Sequence, residues 1–107
     1  MSIPSLTVQD LKAELDSGKS LFLLDVREPD EVALGAIPGV VPIPKGQVPL
    51  RLNEVPKDQD VVVICRSGGR SGMITEQLLA SGYTRIRNLA GGTMAWSALI
   101  DPSVEVE

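Results

Sequence analysis

The spacing of apolar residues changes along the chain, and each change marks an element. After Thr7, a good N-cap, Val8, Leu11 and Leu15 recur at helical spacing until Gly18 ends the run. Residues 21–26 form a short, continuous apolar stretch, which predicts a strand covered on both faces. Pro29 opens a short helix over residues 29–34. Val40, Val41, Pro42 and Ile43 predict a weaker strand; Pro42 cannot donate to a ladder, so this strand lies at an edge or ends there. Residues 47–55 read as a short helix containing Leu50 and Leu52. Val61, Val62, Val63 and Ile64 are all β-branched and predict a buried strand running into Cys65. A turn over residues 66–70 follows, then a helix carrying Ile74, Leu78 and Leu79 that ends at Gly82. Residues 85–89 make another strand, residues 91–100 a last helix, and residues 101–107 a charged, frayed tail.

Strands alternating with helical patterns predict an α/β fold around a mostly parallel sheet. The 107 residues contain no internal repeat, low-complexity tract or linker, so residues 1–100 read as one domain and 101–107 as its tail.

Composition narrows the chemistry. A single Cys excludes a disulfide scaffold. The absence of His removes imidazole acid–base catalysis and Cys-His or Ser-His pairs; with one Cys, it also leaves no zinc ligand set, so no metal is expected. Ten Lys+Arg against fourteen Asp+Glu give a net charge of −4, which argues against nucleic acid or an anionic membrane as partner. Residues 1–4 lack the basic and apolar regions of a signal peptide, and the apolar runs at 21–24 and 61–65 are far too short to cross a bilayer. The expectation is a soluble, cytoplasmic, monomeric domain.

The one thiol sits where chemistry is expected. Cys65 ends a central strand and precedes Arg66-Ser67-Gly68-Gly69-Arg70-Ser71, which leads into a helix, the place where open α/β sheets put their ligands. Two glycines let such a loop curl so that its N–H groups converge on an anion. The helix N-terminus and the two arginines add positive charge, and no acidic residue lies between Val61 and Gly72. Each factor favours thiolate over thiol, so Cys65 is the candidate nucleophile, although a lone Cys after a strand is more often a small buried hydrophobe. The phosphate-binding P-loop wants Lys before its Ser or Thr, where Arg70 stands. Cysteine-dependent phosphatases place five residues between Cys and Arg; here Arg70 arrives one position early. The smaller loop suits a sulfur carried on Cys65 better than a tetrahedral phosphorus.

With these residues in hand, the chain resembles the rhodanese-like sulfurtransferases. The resemblance rests on Leu24-Asp25-Val26-Arg27-Glu28-Pro29-Asp30-Glu31, Ile37-Pro38-Gly39, the loop Cys65–Arg70, Gly82-Tyr83, and Asn88-Leu89-Ala90-Gly91-Gly92 followed by Ala95-Trp96. It covers roughly residues 3–98, with Ala36 where many members carry His. It implies a central, mostly parallel sheet of about five strands with helices on both faces. It also implies that Cys65 becomes a persulfide, with residues 66–71 binding a thiosulfate-like donor, and that no cofactor is needed. The acceptor would be cyanide in vitro and a thiol or sulfur-accepting protein in the cell. The rival reading is a rhodanese-like docking or regulatory module without turnover.

Other conspicuous residues read as structural. Asp25 and Arg27 are expected on opposite faces at a strand end, as polar groups that hold the fold. Glu28 and Glu31 serve the first turn of the short helix. Gly91-Gly92 allows close backbone packing, Trp96 anchors core or rim, and Met73 and Met94 fill gaps.

Overall fold

The computed structural model describes residues 3–107. In chain order its strands and α-helices are β1 (Ser5–Leu6), α1 (Val8–Asp16), β2 (Leu21–Asp25), α2 (Pro29–Leu34), β3 (Val40–Pro42), β4 (Asp60–Ile64), α3 (Gly69–Ala80), β5 (Ile86–Leu89) and α4 (Gly92–Leu99). The five strands form one all-parallel sheet in the order β1-β5-β4-β2-β3. The β-branched run of β4 takes the middle because both its faces are covered. Val61 and Val63 pack under α3 with Ile74, Leu78 and Tyr83, while Val62 and Ile64 face Leu11 of α1 and Trp96 of α4. Thr7 caps α1 as expected, accepting the Asp10 N–H at 3.1 Å. β3 lies at the sheet edge, where Pro42 withholds no needed donor.

Four departures from the sequence reading have physical causes. β1 has no counterpart there, because two residues are too few for a periodic signal. It is held at the edge by Asn88 N–H to Pro4 O and Ala90 N–H to Leu6 O. The helix expected over 47–55 is instead two 3₁₀ stretches, Lys45–Leu50 and Leu52–Glu54. Pro49 inside the first removes a donor; Val48 rather than Leu50 turns inward, and Leu50 is 83% exposed. The tail expected to fray is also packed: Val104 is buried, Val106 lies against the same cluster, and the Glu105 backbone presses on Gly35. Asp101 sets up the turn by accepting from the backbone and hydroxyl of Ser103.

The last departure concerns Asp25 and Arg27. Residues two apart share a face of extended backbone, and the two are fully buried together as an ion pair, Arg27 Nη2 to Asp25 Oδ2 at 2.8 Å. Arg27 also donates to the carbonyls of Glu31 and Gly35, so the pair fastens α2 to the end of β2. Trp96 is a core residue as expected, whereas Met73 and Met94 stand 56% and 42% exposed and fill no gap. Among the described residues no helix is long and apolar enough to cross a membrane.

Candidate active site

Strand order locates the site. From β4 the chain crosses to β5, and from its neighbour β2 it crosses the opposite way to β3, so the crevice between their C-terminal ends is the switch point of the sheet. Cys65 stands there, directly after β4, and is only 1% exposed.

The loop over Cys65 turns its carbonyls outward and its N–H groups inward. Two carbonyls are taken by the start of α4: Thr93 N–H donates to Cys65 O, and Met94 N–H to Arg66 O, both at 2.9 Å. Gly92 makes that approach possible, since a Cβ there would lie 2.4 Å from Cys65 O. Gly68, at φ +107°, supplies the left-handed turn into α3. Its N–H donates to Cys65 Sγ at 3.0 Å, and the Ser71 hydroxyl lies 3.3 Å from the same sulfur. Burial pushes the Cys65 thiol up. The Ser71 hydroxyl and the N–H groups of Ser71, Gly68 and Ser67 outweigh burial and hold the thiol below its ordinary value.

The two arginines differ in their engagement. Arg70 forms a two-pronged ion pair with Glu31 of α2, at 2.7 and 2.8 Å, while its charge is still felt at Cys65. Arg70 holds the Glu31 carboxyl down at about 2. Arg66 is half-buried at the mouth of the loop and donates to the main-chain oxygen of Glu107. Ser67 and Gly69 are exposed, and Ser71 is fully buried. Of the seven consecutive residues singled out in the sequence, Gly68 and Ser71 donate to the Cys65 sulfur, while Arg66 and Arg70 are engaged by Glu107 and Glu31.

Three further residues belong to the site without a sequence reading that placed them there. Glu31 reads as a helix-start acid; it does complete a capping box with Glu28, but it also clamps Arg70. Thr93 donates its hydroxyl to Cys65 O. Asn88 bridges Ser71 and Gly68 from the neighbouring strand β5. A buried amide in a strand otherwise made for the core was the available signal for it. Among the described residues no group of three or more His, Cys, Asp or Glu is placed to hold a metal.

The sequence and fold around this buried thiol have known relatives. Residues 7–99 match the Rhodanese-like domain family. The chain belongs to the rhodanese-like family. Among relatives of this rhodanese-like chain, a sulfurtransferase of Allochromatium vinosum is 42% identical over 89 residues, covering 83% of each chain. A rhodanese-like domain protein from Staphylococcus aureus superposes with a TM-score of 0.86 at 33% identity, over 98% of this chain and 99% of the other. The human single-domain sulfurtransferase TSTD1 gives 0.78 at 28% identity, over 92% and 98%.

Proposed function

We propose that the protein moves sulfane sulfur from thiosulfate, or a similar anionic donor, through a Cys65 persulfide to a nucleophilic acceptor. The observation that carries this is that the Gly68 N–H, at 3.0 Å, and the Ser71 hydroxyl, at 3.3 Å, both meet one buried sulfur, whose thiol the N–H groups of Ser71 and Ser67 also help to hold down. Thiolate Sγ attacks the outer sulfur of the donor, forming one S–S bond as the donor's own S–S bond breaks, and sulfite leaves with the electron pair. The negative charge then rests on the outer sulfur, inside the ring of N–H groups, which are already oriented. An acceptor attacks that sulfur and releases the Cys65 thiolate; cyanide serves in vitro, a thiol or a sulfur-accepting protein in the cell.

Because Cys65 is buried, only the donor's outer sulfur enters the ring, and the anionic remainder stays at the mouth. Arg66 exchanges its backbone partner for that anion, and Arg70, fixed by Glu31, adds field without leaving its place. Ser67 and Gly69 form the exposed rim. The test is thiosulfate-dependent formation of thiocyanate from cyanide, run beside Cys65→Ala, with intact mass before and after thiosulfate. The wild type should gain one sulfur atom at Cys65, lose it to cyanide and turn over; Cys65→Ala should do neither. Arg66→Ala should raise KM for thiosulfate by about tenfold or more, the size of one lost charge-assisted contact. A wild type that gains no sulfur and makes no thiocyanate would be a binding module, and the proposal would fall.

A further inference from the structure

Ser71 has one hydroxyl proton and two acceptors. Its Oγ lies 3.3 Å from Cys65 Sγ and 2.5 Å from Asn88 Oδ1. The orientation of the Asn88 amide is set from its other end, where Nδ2 donates to Gly68 O at 3.2 Å; turned over, the amide would set oxygen against oxygen. Ser71 is fully buried and Asn88 is 8% exposed, so no bulk water replaces a partner that either loses. Asn88 therefore touches the Ser71 hydroxyl that donates to the sulfur, and the carbonyl of Gly68, whose N–H also donates to it, without touching the sulfur itself.

We propose that Asn88 is a positioning residue that decides when Ser71 serves the sulfur: it holds the Ser71 hydroxyl while Sγ is uncharged and yields it when Sγ becomes a thiolate. This rests on the reading of Cys65 as a sulfur-carrying nucleophile. In the thiol, the Sγ proton points to Ser71 Oγ and the hydroxyl proton to Asn88, so each donor has an acceptor. In the thiolate, the hydroxyl turns to Sγ and Asn88 Oδ1 loses its donor. In the persulfide the charge has moved to the outer sulfur, where the loop N–H groups meet it, and the hydroxyl returns to Asn88. Asn88 thus favours the two states in which Sγ is neutral. It keeps the resting thiol from ionising too readily and holds the loaded protein against falling back.

The charged groups around Sγ are Arg70 of α3, with Glu31 of α2 paired to it, and Arg66 of the loop. They are common to every variant below and cancel in the comparison. The experiment is a double-mutant cycle of Ser71→Ala and Asn88→Ala in the full chain, with folding checked by circular dichroism. The ionisation of the only thiol is followed by thiolate absorbance against pH. With Ser71 present, Asn88→Ala should move the thiol pKa downward by about one unit relative to the change the same substitution makes in the Ser71→Ala background. Loosening of Gly68 occurs in both backgrounds and drops out. At a fixed thiosulfate-to-sulfite ratio, the loaded-to-free equilibrium read by intact mass should fall about tenfold with Asn88→Ala, again only when Ser71 is present. Ser71→Thr, which keeps a hydroxyl, should restore the coupling. Should Asn88→Ala fold poorly, Asn88→Val suits a strand and carries the same test. Equal shifts in both backgrounds, or a coupling of opposite sign, would mean that Asn88 only braces the loop, and the proposal would be overturned. Thiol titration involves no sulfur transfer. Coupling there without any mass gain would therefore overturn the persulfide and leave the thiol–thiolate role of Asn88 in place.

Discussion

A methyl group on Gly92 would meet the backbone oxygens of Cys65 and Arg66 at 2.4 and 2.6 Å, on a residue whose φ is +58°. Backbone cannot step aside as a flexible side chain does, so Gly92→Ala should cost about 1–3 kcal/mol of stability. It should also slow sulfur transfer, because it pushes the loop that aims the N–H groups. At Gly69 an added Cβ meets nothing within 4 Å, and Gly69→Ala should not lower the melting temperature. Thermal unfolding and single-turnover sulfur loading check both. At this scale the sequence speaks unevenly. Cys65 is legible because its glycines and arginines are contiguous with it. Asn88 is not, since its partners Ser71 and Gly68 lie 17 and 20 positions away and meet it only through strand pairing.

Between elements, the Glu31–Arg70 pair ties α2 to the start of α3, and Glu14–Arg87 ties α1 to β5. Both carboxyls are lowered from 4.5 to about 2, chiefly by the hydrogen bond from the arginine. A carboxyl lowered on folding stabilises the native state fully above its unfolded value and loses that contribution as pH falls through the folded one. Stability from these two pairs should therefore be constant above about pH 4.5 and decline towards pH 2. Glu31→Gln should remove its share of that acid slope; denaturant midpoints between these pH values measure it. The element pattern itself is mostly legible: the strands centred on residues 23, 62 and 88 and the helices α1, α3 and α4 follow from period and caps. What escapes is short or proline-broken, β1 and the 3₁₀ stretches, where a few residues are placed by their neighbours rather than by their own propensity.

Over the whole molecule, residues 101–107 bind the sheet's α1/α4 side to the mouth of the site. Val104 is buried against that core while Arg66 holds the main-chain oxygen of Glu107. Val104→Ala removes two buried carbon groups and should lower stability by about 1–2 kcal/mol, read from denaturant unfolding. Charge suggests a solvated end, but the alternation of Val104 and Val106 with acids already carries a half-buried pattern.

Among the described residues, the carbonyls of Cys65 and Arg66 find their partners in Thr93 and Met94, at the start of α4. During synthesis, a chain that has emerged through β5 owns every strand and its cysteine, yet those two carbonyls still face water. Asn88 and the start of α3 already hold Gly68 and Ser71 beside the thiol, but the carbonyl side of the loop is not yet fixed. The geometry around the thiol is therefore completed late on the ribosome, when the start of α4 closes on the loop, and residues 101–107 then add Val104 to the core and Glu107 to Arg66.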